Sequence, residues 1–183
     1  MTQAYAKTMF SEAAKRYQER HGSRAQYERA AERGESGDAL GPMEWEFIAR
    51  RDSFYMASVT EDGWPYVQHR GGPKGFLRVL DDRTLAFADF TGNKQYITAG
   101  NLATNDRVAL FLMDYPYQAR LKIIGHARVV EGDTELEAKV RVAGYKAKVE
   151  WVMVVVAFDW NCSQHITPRW TREEIEAVLG EGR

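Results

Sequence analysis

A single cysteine, Cys162, stands in 183 residues, which excludes an internal disulfide framework and fits a reducing compartment. No apolar run approaches the roughly 20 residues needed to span a bilayer. The opening Met1-Thr2-Gln3-Ala4-Tyr5-Ala6-Lys7 has none of the apolar core that marks a signal peptide. Charge of one sign is scarce too: 25 basic and 26 acidic residues give a formal charge of −1, without a long block of either. That balance gives no reason to expect a nucleic-acid partner. Internal repeats, low-complexity segments, a Rossmann glycine fingerprint and a P-loop are all missing. These absences leave the expectation of a soluble, cytoplasmic protein.

Metal chemistry has little to stand on. His21, His69, His126 and His165 are scattered without paired ligand spacing, and Cys162 has no cysteine partner. A nucleophilic Cys162–His165 pair is a minor reading, because the sequence identifies neither oxyanion donors nor an orienting carboxylate.

What is present is core-forming material: 44% hydrophobic and 12% aromatic residues, enough for one domain with an appended arm. Residues 1–41 read as a charged helical arm. Phe10, Ala13, Ala14 and Tyr17 recur at helical spacing, Gly22 is a stop, and Ser23 with Gln26 resembles a capping box for a second helix through Arg33. Gly34-Glu35-Ser36-Gly37-Asp38 reads as a flexible link. Pro42 fits the first position of a short helix carrying Trp45, Phe47 and Ile48.

From Ser53 the period changes to two. Phe54–Val59 and Trp64–His69 read as strands joined across Glu61-Asp62-Gly63, a strong hairpin signal. Gly75–Leu80 and Thr84–Asp89 form a second expected hairpin, and a short helix is expected over Asn93–Thr104. The continuously apolar Val108–Met113 suits a strand buried on both faces. Arg120–Val130 follows as a strand with Gly125 at a bulge, then a helix over Thr134–Val142 and a β-branched strand over Trp151–Phe158. Thr171-Arg172-Glu173-Glu174 is a capping box opening a terminal helix through Leu179. Six or seven strands with short turns and flanking helices argue for a small antiparallel barrel over residues 42–183, a mainly β, α+β class.

Two segments combine chemistry-bearing groups. In a strand, Gln68 and Arg70 share one face and His69 takes the other. An amide beside a guanidinium suits carbonyl or phosphate oxygens, and Gly71-Gly72 permits close backbone approach; a solvated strand end with a Gly-Gly-Pro turn fits the local sequence equally. Asn93-Lys94-Gln95 sits at the expected helix start, where free N–H groups, the helix dipole and Lys94 favour an anion; ordinary capping by Asn93 is the plainer reading. Arg120 and Lys122 lie on one strand face, as ligand groups or as a charged surface strand. Trp160-Asn161-Cys162-Ser163-Gln164-His165 is an aromatic and polar loop that suits a heterocycle, although Trp160 could simply cap the core.

Taken together, the run Phe54–Ser58, Gly63–Pro73 and Gly75-Phe76 resembles the pyridoxamine 5′-phosphate oxidase-related flavoproteins. So do Leu85-Ala86-Phe87-Ala88-Asp89-Phe90 with Gly92-Asn93-Lys94-Gln95-Tyr96, Gly100-Asn101-Leu102, and Phe158–Cys162 with Gln164-His165-Ile166. The resemblance covers roughly residues 44–170, and Gln18-Glu19-Arg20 with Gly22-Ser23-Arg24 fits one subgroup. It implies a six- to seven-stranded FMN-binding split barrel that forms a homodimer, with FMN at the subunit interface. Carried over by position, Gln68, His69 and Arg70 meet the isoalloxazine and ribityl region, with Gly71 and Asp89 among the cofactor-binding positions. Asn93, Lys94 and Gln95 hold the phosphate. Arg120 reaches the flavin from the partner subunit, and Trp160, Asn161, Gln164 and His165 approach from the C-terminal loop.

The chain departs from the true oxidase. Lys94-Gln95 stands where that enzyme carries an arginine–lysine pair, and Gln164-His165 and Arg169-Trp170 replace its C-terminal Arg-x-His pattern. The expectation is therefore an FMN-dependent oxidoreductase with an unassigned small-molecule substrate and electron donor. His69 and His165 are its acid–base candidates, and Arg120 or Lys122 could stabilise an anionic flavin. The alternatives are a flavin-binding or redox-sensing module without turnover, and a split barrel for haem or a deazaflavin.

Overall fold

A computed structural model describes residues 1–160 and 164–180, with the backbone alone at position 148. Asn161 and Cys162, and with Cys162 the minor Cys162–His165 reading, fall outside the described residues. The elements in chain order are α1 Gln3–Met9, α2 Glu12–Arg20, α3 Arg24–Arg33, α4 Pro42–Ala49, β1 Ser53–Val59, β2 Pro65–Gly71 and β3 Arg78–Val79. They continue with β4 Thr84–Phe90, α5 Ile97–Thr104, β5 Arg107–Asp114, β6 Ala119–Val130, α6 Thr134–Val140, β7 Ala147–Trp160 and α7 Arg172–Gly180.

The seven strands form one sheet in the order β2-β1-β5-β6-β7-β4-β3, with every neighbouring pair antiparallel. No ladder joins β2 to β3, so the sheet is split rather than closed. The class is the expected one, a seven-stranded antiparallel split barrel with flanking helices.

Alternation selects the core. Phe54 and Met56 from β1, Val108, Leu110 and Leu112 from β5, and Leu121 and Ile123 from β6 meet Phe87 of β4 and Trp151, Met153 and Val155 of β7. Phe47 and Ile48 of α4 cover one end; α4 begins with Pro42 at its first position and a buried Glu44 whose carboxylate accepts the Gly41 N–H at 2.9 Å. Along β7 the inward parity changes from Val155 to Phe158. The ladder to β6 steps between Ile124–Ala157 and Gly125–Val155, leaving Val156 as an extra residue. The bulged residue is thus on β7, and Gly125 lies opposite it. A Cβ on Gly125 would stand 2.1 Å from the Val154 carbonyl oxygen.

Several expectations change. β5 alternates buried with half-buried residues instead of being buried on both faces, because only part of the outer face of the sheet is covered. Near β5 and β6 the cover is α1, whose Tyr5 packs with Ile124 and Ala157. Residues 34–38 are not a flexible link: Gln3 and Ala4 donate their N–H groups to Glu35 and Ser36 at 2.9 Å, and the Phe158 N–H donates to Gly37 at 2.8 Å. Gly37, at φ +70°, has Thr2 packed where a Cβ would sit. Ser23 adopts helical dihedrals and makes no side-chain cap, whereas the Thr171–Glu174 box forms in both directions. The second hairpin keeps only two residues in its first strand, since Gly75 at φ +76° turns the chain and Phe76 and Leu77 are buried as core.

Glu150 is buried on β7 near α6. Burial, reinforced by the negative charges of Glu137 and Asp133, raises its carboxyl above the usual range.

Two outcomes follow for stability. Gly125→Ala forces a methyl group against a backbone oxygen, so urea unfolding should report a loss of about 1–3 kcal/mol; wild-type stability would contradict the tight β6–β7 approach. A raised carboxyl favours the fold while protonated, below its ordinary value, and that favour is lost as pH rises through the raised value. Glu150→Gln should therefore melt above wild type at pH 7, with the margin closing toward pH 4. A margin constant across that interval would place Glu150 in water.

Candidate functional site

The split in the sheet opens a cavity of about 690 Å³, lined from β2, β4, the following loop, α5, β6 and β7. Gln68 and Arg70 enter it from the same face of β2, as period two requires. Asp89 comes from the end of β4, Asn93, Lys94 and Gln95 from the loop, and Trp151 from β7. The structure thus gathers six of the thirteen expected site residues in one concavity, of a size usual for small ligands.

Arg70 bridges the split. Its Nη1 pairs with Asp89 Oδ1, and its guanidinium lies 4.9 Å from the ring centre of Trp151 and 5.7 Å from that of Phe87. Trp151 in turn stacks parallel on Phe87, with centroids 5.9 Å apart. Arg70 Nε and Trp151 Nε1 are buried, and neither has a hydrogen-bond partner among the described residues. Two orphaned donors on one cavity wall are costly unless an acceptor meets them. Gln68 is also fixed: its Oε1 accepts from the Thr98 hydroxyl at 2.9 Å.

The expected helix start is corrected. α5 begins at Ile97, four residues later than expected, behind an N-cap Tyr96 at φ +54°. Lys94 is likewise left-handed, at φ +60°. Asn93 caps no helix; its Oδ1 accepts the Gln95 N–H at 3.2 Å, a local side-chain turn. Any anion held by Asn93-Lys94-Gln95 is therefore held by a loop ahead of α5, whose first residues Ile97, Thr98 and Ala99 line the same cavity. Lys94 is exposed and makes no ion pair among the described residues, so its charge is available to a ligand, whereas that of Arg70 is balanced by Asp89.

The remaining site residues lie elsewhere in the single chain. His69 points to the opposite face, 5.5 Å from the Tyr55 ring. Gly71 pairs with Ser53 at the strand end, and the adjacent Gly72 makes room for Phe76 and Phe90, which lie within 2.8 Å of where its Cβ would be. Arg120 lies over Phe111 at 6.0 Å. Lys122 is engaged by Asp159 at 3.2 Å and by the Tyr5 ring, which removes it as a free cation. Trp160 donates its indole N–H to Glu44 at 2.7 Å and meets Phe47 edge-on, the core-capping arrangement. Gln164 and His165 are exposed on the following loop, His165 at φ +64°. Burial, followed by the neighbouring Tyr55 phenol, raises the Tyr115 phenol above the usual range.

Sequence reasoning missed Tyr66, Thr98, Trp151 and Glu131 as cavity residues. Tyr66 was available from the same alternation that chose Gln68 and Arg70. Trp151 and Thr98 reach the site only through strand order and helix docking, which no local pattern reveals.

Comparison with known proteins places this architecture. The family model described as pyridoxamine 5′-phosphate oxidase matches residues 45–167. No curated protein matches the chain. Among solved structures, a candidate pyridoxamine 5′-phosphate oxidase from Lactobacillus delbrueckii aligns at 20% identity over 67% of this chain and 94% of its own, with a TM-score of 0.53. HupZ of Group A Streptococcus aligns at 16% identity over 72% of this chain and 100% of its own, also at 0.53. A conserved hypothetical protein of Mycobacterium tuberculosis aligns at 17% identity over 74% of this chain and 94% of its own, at 0.50. These likenesses are of fold.

The bridge across the split has a measurable signature. Arg70→Met leaves the half-buried Asp89 carboxylate without its counter-charge, a loss of about 1–3 kcal/mol in denaturant unfolding. Adding Asp89→Asn should recover part of it, as a coupled pair requires. Strictly additive losses would mean that the two groups do not depend on each other.

Proposed function

Since the chain belongs to the pyridoxamine 5′-phosphate oxidase family, we propose that it binds FMN in the split-barrel cavity and works as a flavin-dependent oxidoreductase on a small molecule. The observation that carries the reading is the composition of the cavity wall. The lining combines Arg70 and Trp151, each with a buried orphaned donor, and the amide of Gln68 with Lys94, which makes no ion pair among the described residues, and its polar loop. A ligand with an acceptor-rich planar part and a terminal phosphate answers both sets of groups. The residues present therefore fit the cofactor.

In this reading Gln68, Arg70 and Trp151 orient the ring and ribityl portion. Asn93, Lys94 and Gln95 hold the phosphate, Lys94 by its charge. Asp89 acts indirectly, by keeping the Arg70 guanidinium over the Trp151 ring. Bound flavin supplies the hydride or electron transfer, and the protein supplies position and electrostatics. His69 and Arg120 face away from the cavity of their own chain, on the half-exposed outer face that also carries Tyr55 and Phe111. They serve a flavin site only if a second copy presents that face, which is the homodimer that the resemblance implies. We read residues 42–183 as the flavin-binding unit and residues 1–41 as an arm folded against it. No helix among the described residues is long and apolar enough to cross a membrane.

The test separates phosphate from ring. Lys94→Ala should weaken FMN by about tenfold, the loss of one charge-assisted contact, and leave riboflavin nearly unchanged in fluorescence titration. Equal losses for both would place Lys94 away from the phosphate. Turnover is tested by NADH or NADPH reduction of the loaded protein followed by reoxidation with candidate acceptors. Failure with every donor would leave a binding module rather than an enzyme.

A further inference from the structure

Two buried polar bonds pin α5 to the β1–β2 hairpin: Thr98 Oγ1 donates to Gln68 Oε1, and Asn101 Nδ2 donates to Ser58 Oγ, both at 2.9 Å. Thr98, Asn101 and Ser58 are each almost fully buried. Only the Thr98 bond reaches a residue that lines the cavity on both of its sides.

We infer that Thr98 is a positioning residue that makes Gln68 a fixed donor toward the ligand. An amide side chain has a carbonyl acceptor and an NH₂ donor at opposite corners, and free rotation would let it present either. The Thr98 hydroxyl occupies the carbonyl, so the NH₂ is the group left for the cavity. The site thereby selects an acceptor edge, a ring carbonyl, and disfavours a ligand whose edge there is a donor. Thr98 also lies at the second position of α5, directly after the Lys94–Tyr96 turn. The element that holds the phosphate loop therefore also sets the polarity of ring recognition. This inference rests on the flavin reading above and assigns a residue and a polarity to it.

The test compares Thr98→Val, which keeps shape and removes the hydroxyl, with Thr98→Ser, which keeps the hydroxyl. FMN and riboflavin affinities are measured by fluorescence titration, and the carbonyl stretch of the bound ring by Raman difference spectroscopy. Thr98→Val should weaken FMN and riboflavin alike by roughly five- to tenfold, the worth of one hydrogen bond. It should also move the carbonyl band toward that of a less strongly bonded ring. Thr98→Ser should restore both. Unchanged affinity in Thr98→Val, a loss with the carbonyl band unmoved, or a serine variant as weak as the valine one would each overturn the assignment. If Thr98→Val does not fold, Gln68→Glu decides: a carboxylate still accepts from Thr98 but donates nothing, so flavin affinity should fall at least as far. Wild-type affinity in that variant would overturn the proposal. Wild-type protein that takes up neither flavin removes the underlying reading instead.

Discussion

A sheet that does not close needs something else to hold its free edges together, and here that task falls to the Arg70 side chain. β2 and β4 sit near opposite ends of the strand order, with four strands between them. Arg70 reaches from one to the other, pairs with Asp89 and sets its guanidinium over the Trp151 and Phe87 rings. A lysine in its place would keep the charge but lose the planar guanidinium. The cavity exists because the strands part at this point while the side chains still meet. Its walls inherit the chemistry of that meeting: a guanidinium, an indole and an amide, with two of their N–H groups unanswered among the described residues.

The same arrangement sorts the positive charges. Arg70 is balanced within the fold by Asp89, Lys122 by Asp159, and Arg51 by Asp114 at 2.7 Å. Lys94, on a cavity loop with two left-handed residues and the Asn93 side-chain turn, makes no ion pair among the described residues. Residues at φ > 0 cost energy that the surrounding structure must offset. Such a loop is expected where a ligand, rather than the core, dictates the backbone. Outside the cavity, the outer face of β1, β2 and β5 leaves His69 and Tyr55 exposed and Phe111 half-buried.

Much of this could be read in the residues beforehand, and the reasons are local ones. Glu61-Asp62-Gly63 fixes the first hairpin with Gly63 at φ +85°, and strict alternation then puts Gln68 and Arg70 on one face and His69 on the other. Misreadings occurred where distant parts of the chain decide. Asn93 has the appearance of a helix cap, but Tyr96 turns left-handed and delays the helix to Ile97. Val108–Met113 reads as buried on both sides because its composition is uniform, while coverage of the outer face depends on where α1 docks. Gly34–Asp38 has the composition of a loose link, yet Gln3, Ala4 and Phe158 tie it down through bonds spanning up to 121 positions, and Thr2 packs against Gly37. Thr98 and Trp151 enter the site by packing across the split, which leaves no trace in neighbouring residues.

Everything proposed for the site depends on a flavin occupying the split. The most direct measurement is the visible absorption spectrum of the purified wild-type protein, followed by release and chemical identification of any bound cofactor and, where none is bound, titration with FMN. The account predicts the visible absorption of an oxidised flavin cofactor, and FMN as the released or saturating species. A colourless protein that takes up no FMN, or one carrying haem or a deazaflavin instead, would contradict it.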